Sequence, residues 1–237
     1  MQQSKKPKIL VGCPVSDYHE YCTEEFIQSI KSFTYQNYDV LLVDNSESDR
    51  FYNSIKDKVN VEKIPYSKSV YERLINSRNK LRERALEGGY DYLFSIEQDV
   101  IAPKNIIQKL LEHKKDIISG VYFIPEMRGD KPRLAPMIWA EHPTDPMKKT
   151  NIKDEVIAGK YLIKIAACGL GCLLISRKVL EKIKFRYDLK QGTGVDDSFF
   201  SFDAAKTGFE MYADTATKCK HLINGRKWYW KDLVKQV

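Results

Sequence analysis

Glu97 and Asp99 are the residues whose type and spacing speak most directly of chemistry in this 237-residue chain. They stand two apart in the stretch YDYLFSIEQDV at 90–100, immediately after the aromatic and apolar run at 92–96. Side chains alternate along extended chain, so carboxylates two residues apart project to one side. At the carboxyl end of a buried strand, such a pair can hold a hard divalent cation with a phosphate completing its shell. The plainer alternative is a solvated acidic turn between strand and helix. A second acidic pair, Asp196 and Asp197, follows Gly192, Thr193, Gly194 and Val195 at a predicted helix start. There the helix dipole favours the ionised form, and glycines let backbone approach a ligand closely. An ionised Asp beside a bound electrophile can take a proton from a hydroxyl. An ordinary helix cap explains one of these Asp residues but not two after a Gly-rich approach.

Other polar residues fall at predicted strand ends: Pro14, Val15 and Ser16 after the first strand, Asp44 and Asn45 after the second. In a parallel sheet these ends lie side by side. Asp44 is placed to accept hydrogen bonds from a base or ribose, or simply to form a turn. Arg78 lies between Leu74 and Leu81, on the apolar side of a predicted helix, where an arginine needs an anionic partner. Its neighbour Asn79 reads equally as an exposed polar residue. Cys168, Cys172, Cys219 and His221 could make a zinc site, although CxxxC and CxH are unusual spacings for one. The chain has no GxxxxGK loop, no GxGxxG after its first strand and no GxSxG elbow. P-loop enzymes, ordinary dinucleotide-dependent dehydrogenases and α/β-hydrolases are thereby disfavoured, and phosphate would have to be neutralised by a metal.

The elements that must position these residues alternate. Strands are expected at 8–12, 39–43, 59–64, 92–96 and 117–123. Between them lie a helix with Thr23 as N-cap, a long helix opened by a Ser69/Glu72 capping box and closed at Gly88-Gly89, and a helix opened by Pro103. This order predicts a mainly parallel sheet with helices on both faces and a ligand beyond the carboxyl ends of the strands. The pattern breaks at 125–159, where prolines and charges suggest a long excursion with a short hairpin at 134–140, a candidate lid. Strand character returns at 161–167 and 172–175. Ser176 is expected to cap a short helix, 196–208 to be a helix ended by Gly208, and 228–237 to be a basic, aromatic-rich helix.

Hydrophobic residues make up 43% of the chain, so a sizeable core is expected. No internal repeat or linker is evident, and a single domain is the simplest organisation. No apolar run reaches the length of a membrane span, and the start does not read as a signal peptide. Five scattered cysteines suit a reducing, cytoplasmic setting. The net charge of +7 is spread along the sequence, which suits a solvated surface better than a nucleic-acid arm.

Taken in order, KILVGCPVS, VLLVDNSES, SRNKLRERAL, LFSIEQDV, CGLGCLLISRKVLEKI and GTGVDDSFFSFDAAKTGFEMYADTATKCKHL resemble the GT-A glycosyltransferases of the family-2 type, over residues 8–222. The resemblance implies a GT-A, Rossmann-like α/β sandwich. Residues 8–123 would form the nucleotide-sugar half, 124–225 the acceptor and catalytic half, and 226–237 a tail helix. It implies a nucleotide-diphosphate sugar as donor and a saccharide, lipid-linked or protein acceptor. Transfer would be by inverting direct displacement with Mn²⁺ or Mg²⁺. Pro14, Val15, Asp44, Arg78, Asn79 and Gln98 would face the donor; Gly169, Leu170 and Gly171 the acceptor; Glu97, Asp99 and His221 the metal. Asp196 would be the base, with Asp197 the competing carboxylate. Glu97 departs from the first Asp of the family's DxD, and Val195 from the acidic residue usually before the base. A nucleotidyltransferase, or a non-catalytic binding module that keeps the fold, stays open as an alternative. Trp228, Tyr229 and Trp230 are where a membrane surface would be touched.

Overall fold

The computed structural model describes residues 6–128, 131–144, 148–188, 196–223 and 226–228, with backbone only at 127, 128, 131, 132 and 226–228. The first half runs β1 (Ile9–Val15), α1 (Thr23–Lys31), β2 (Tyr38–Asp44), α2 (Asp49–Ile55), β3 (Val61–Lys63), α3 (Val70–Glu87), β4 (Tyr92–Ile96), β5 (Val100–Ile101) and α4 (Ile106–Glu112). There follow β6 (Ile117–Val121), β7 (Phe123–Arg128), β8 (Lys131–Pro136), β9 (Ile138–Glu141), β10 (Lys149–Asn151), α5 (Asp154–Ala158), β11 (Leu162–Ile165) and β12 (Ala167–Cys168). The chain closes with β13 (Cys172–Ser176), α6 (Arg177–Lys182), α7 (Asp196–Lys206), β14 (Met211–Lys218), β15 (Lys220–Ile223) and β16 (Arg226–Trp228).

Eight strands form one sheet in the order β11-β14-β6-β13-β4-β1-β2-β3. It is mostly parallel, as expected of a Rossmann-like α/β fold, but β13 inserts antiparallel between β4 and β6, and β11 lies antiparallel on β14. Strand alternation divides the core. Ile9, Val11 and Cys13 pack with Phe26 and Ile30 of α1 on one face, while Leu10, Leu41 and Val43 pack with Leu81 and Ala85 of α3 on the other. The chain winds outward from β1 through β2 to β3, then α3 carries it back to β4 on the opposite side of β1. Strand order therefore reverses between β1 and β4, and the crevice outside their carboxyl ends is where such sheets bind ligands.

Several local expectations change. Thr23 is the first residue of α1, not its cap, because a 3₁₀ turn at Asp17–Cys22 leads directly into the helix. Ser69 Oγ does accept from the Glu72 amide at 3.3 Å, but the Glu72 carboxylate turns to Ser67 Oγ, so the box is half formed. Ser176 precedes α6 without a side-chain cap; its hydroxyl donates to Asp116 Oδ1 at 2.7 Å. The third strand is only Val61–Lys63. Gly208 does end α7, with φ at +81°.

The largest correction is at 125–159. The hairpin there pairs β7 with β8, and β9 joins β10 and β12 in a separate three-stranded sheet. Leu134, Ile138 and Ile157 are fully buried in the main core. Arg226–Trp228 is a strand on β15, not the start of a helix; residues 229–237 lie outside the described residues, as do Gly192, Thr193, Gly194 and Val195. Among the described residues no helix is long and apolar enough to cross a membrane.

Candidate functional site

At the β1/β4 reversal point lies a cavity of about 560 Å³, within the size range of small-molecule sites. Pro14, Val15 and Ser16 at the end of β1, Asn45 after β2, and Glu97, Gln98 and Asp99 after β4 line it, as expected from the strand ends. One face of α3 and Asp196 at the start of α7 close it.

Arg78 ties the two acidic clusters together. It is 3% exposed. Its Nε donates to Asp196 Oδ2 at 2.5 Å, Nη1 to Ser95 Oγ at 3.1 Å and Nη2 to Glu97 Oε1 at 3.1 Å. The anionic partner that its apolar helix face demands is thus double, and both partners are candidate site residues. Glu97 responds to the crowding. Its carboxyl is pushed up to about 7, first by burial, with Arg78 pulling it back and Asp99 pushing it further.

Asp99 faces two histidines. Its Oδ2 is 3.1 Å from His221 Nε2 and 3.8 Å from His19 Nε2. His221 reaches this point because β15 pairs antiparallel with the short β5, setting His221 opposite Val100, and Leu222 N donates to Asp99 O at 2.7 Å. Its Nδ1 is 2.8 Å from the Phe123 carbonyl, which holds the proton on Nδ1 and turns Nε2 toward Asp99. Burial works against the imidazolium, yet the Asp99 hydrogen bond and charge outweigh it, so the pKa of His221 is raised. The zinc reading fails on this geometry. Cys172 and Cys219 have sulfurs 3.4 Å apart, but His221 Nε2 is directed at Asp99, so a cation there would be met by a carboxylate and not by the thiols. Among the described residues, no three His, Cys, Asp or Glu side chains form a ready metal centre.

The remaining expected residues divide. Gln98 lines the cavity but has both ends of its amide in use: Oε1 accepts from Ser16 N at 2.9 Å, and Nε2 donates to Thr23 Oγ1 at 2.8 Å and His19 O at 3.2 Å. It fastens the 3₁₀ turn to the acidic turn. Asp44 is fully buried; it accepts from Ser46 N and Oγ and pairs with Lys63 Nζ at 3.1 Å. Asn45, not Asp44, faces the cavity, held by its Nδ2 donating to Ser77 Oγ at 3.0 Å. Asn79 lies off the cavity, its amide bracketing the backbone N–H and C=O of Phe185 at 3.0 and 2.9 Å.

Asp197, the competing carboxylate, does not line the cavity. Its Oδ1 is buried without a hydrogen-bond partner among the described residues. Burial holds its carboxyl above the usual carboxylate range, and the charge of Asp196 adds to the shift. Gly169, Leu170 and Gly171 pack behind Glu97. Leu170 O accepts from Ser95 Oγ at 2.8 Å, and Gly171 N donates to the buried Tyr122 hydroxyl at 3.2 Å. A Cβ at Gly171 would come within 2.6 Å of Glu97 Oε2 and 2.8 Å of Tyr122 Cζ. Gly171→Ala is accordingly expected to destabilise the fold by ~1–3 kcal/mol, the usual cost of overpacking a filled interior. Urea denaturation measures it; an unchanged midpoint would mean that Glu97 swings aside freely.

Sequence reasoning missed His19, Arg73 and Tyr122. His19 sits in a turn with no periodic signal. Arg73 shares the helical spacing of Val70, Leu74 and Arg78, and that spacing was the available clue.

No functionally curated protein matches the chain. Among solved structures it is similar to A197 from STIV, with TM-score 0.54, 18% identity, 94% of this chain and 91% of that one covered. It is also similar to GalNAc-T7, solved with UDP, GalNAc and Mn²⁺, with TM-score 0.64 and 12% identity; 92% of this chain is covered but only 44% of that one. At these identities the likeness is one of fold. The model of glycosyl transferase family 2 matches residues 19–184, well over half of the chain, and together with the reversal-point cavity and its two acidic clusters this assigns the protein to glycosyl transferase family 2.

Proposed function

We propose that the chain moves a sugar from a nucleotide-diphosphate sugar to a hydroxyl of a saccharide, lipid-linked or protein acceptor, by direct displacement with inversion at the anomeric carbon. The observation that carries this reading is the meeting of Glu97, Asp99 and Asp196 on one cavity at the β1/β4 reversal. The donor set suits a divalent cation. Asp99 offers a hard carboxylate oxygen, and His221 offers Nε2, oriented by its Nδ1 contact to Phe123, with phosphate and water left to complete the shell. Glu97 is turned toward Arg78, so its part is to balance charge beside the site. A cation held by Asp99 and His221 would supply Lewis-acid stabilisation of the departing diphosphate. Asp196 is the base in this reading. It lines the cavity, Arg78 fixes one of its oxygens, and it takes the proton of the attacking hydroxyl. Asp197 is not among the residues that line the cavity, which supports the choice of Asp196 over its neighbour.

The reading implies that a nucleoside diphosphate binds in a metal-dependent manner. Titration calorimetry with UDP, GDP and ADP, with and without Mn²⁺, tests it. Asp99→Ala and His221→Ala are each expected to abolish the Mn²⁺-dependent part of the affinity. Undiminished metal-dependent binding in both variants would remove the pair from the site.

A further inference from the structure

The cavity holds three carboxylates, Glu97, Asp99 and Asp196, and two arginines, Arg73 and Arg78. Arg78 has three of its five N–H donors engaged, one from each nitrogen, with Asp196, Ser95 and Glu97, and its charge is met by two carboxylates. Arg73 is different. Its Nη1 donates to the carbonyls of Ser67 at 2.6 Å and Lys68 at 3.3 Å, and its guanidinium lies 5.0 Å from the centre of the Tyr66 ring. These contacts hold the side chain against the cavity wall, and among the described residues no carboxylate pairs with it. Elsewhere the rule is otherwise: Arg50 has Glu20, Arg84 has Glu62, Arg177 has Glu181 and Arg186 has Asp203, while Arg82 is spent on the carbonyls of Leu180 and Ile183.

A cavity with more acid than base repels an anionic ligand unless cations meet it. Among the described residues this guanidinium is held in place with its charge unpaired, and a guanidinium is suited to phosphate because its planar fork can bind two oxygens at once. Arg73 precedes Arg78 by five residues on α3, about 7.5 Å along a helix axis, so it stands apart from the acidic floor where Arg78 is held. We infer that Arg73 binds the phosphates of the ligand in this cavity. This inference rests on the donor reading given above and assigns its anion contact to a specific side chain.

The test uses the full chain and a probe that needs no knowledge of the base. Binding of inorganic pyrophosphate, and of UDP, GDP and ADP, is measured by calorimetry in the presence of Mn²⁺. Arg73→Gln is expected to weaken pyrophosphate and nucleoside diphosphate binding by ~10–100-fold, the range of a charge-assisted bidentate contact. Arg73→Lys keeps the charge without the fork and is expected to fall between Gln and wild type. Arg84→Gln, an arginine outside the cavity, is expected to change nothing. Melting temperatures of the ligand-free variants show whether each is folded, and Arg73→Lys supplies the comparison if Arg73→Gln is not. Wild-type affinity for pyrophosphate in a folded Arg73→Gln, or in Arg73→Lys should Gln fail to fold, would overturn the inference and leave the donor reading standing. If wild type itself binds none of the four probes with Mn²⁺, the donor reading falls and takes this inference with it.

Discussion

Asp196→Asn is expected to reduce glycosyl transfer by ~10²–10⁴-fold while donor affinity persists. The amide keeps the size of the carboxylate, and its oxygen can still accept from Arg78 Nε, so the wall of the cavity is preserved. What it cannot do is take a proton at neutral pH. Asp197→Asn gives the contrast. Asp197 does not line the cavity, and burial already holds its carboxyl above the usual carboxylate range, so a neutral side chain is tolerated there. Its transfer rate is expected to stay within a few-fold of wild type, with no loss of stability. Rates of both variants, with donor binding measured in parallel, decide the assignment. A dead Asp197→Asn beside an active Asp196→Asn would exchange the two roles.

The second large effect concerns stability. Arg78→Met is expected to cost ~3–5 kcal/mol, because it removes the buried cation that pairs with Asp196 and Glu97. Methionine fills most of the volume, so the loss is electrostatic rather than a cavity effect. In the double variant Arg78→Met, Asp196→Asn, one of the stranded charges is gone. The two changes together are therefore expected to cost less than their sum, as residues in one ion-pair network do. Urea unfolding of the four proteins closes the cycle. Strict additivity would mean that Arg78 and Asp196 do not stabilise one another.

Much of this site was legible in the sequence. The continuous apolar runs at 8–12 and 92–96 and the strand–helix alternation placed Pro14, Asn45, Glu97 and Asp99 at neighbouring strand ends, and there they are. The demand of Arg78 for an anion followed from its place on an apolar helix face. The direction of β13 was not legible, because an apolar strand reads the same whichever way it runs, and only the pairing with β4 and β6 reveals it. Nor could the sequence say which polar residues were already satisfied. Asp44, Gln98 and Asn79 have the types expected of ligand contacts, yet their partners Lys63, Ser16 and Phe185 are separated from them by 19 to 106 positions. The fate of 125–159 was hidden for a related reason. Prolines and charges mark its turns, and nothing local in the sequence shows that Leu134, Ile138 and Ile157 anchor it in the core.

The most direct measurement is the phosphorus product. A panel of nucleotide-diphosphate sugars is incubated with the protein, Mg²⁺ and a mixture of oligosaccharide and polyol acceptors, and followed by ³¹P NMR. The expected result is nucleoside diphosphate from at least one donor, formed only with metal present and lost in Asp99→Ala. Pyrophosphate as the product, or no turnover of any donor in the panel, would contradict sugar transfer from a nucleotide-diphosphate donor at this site.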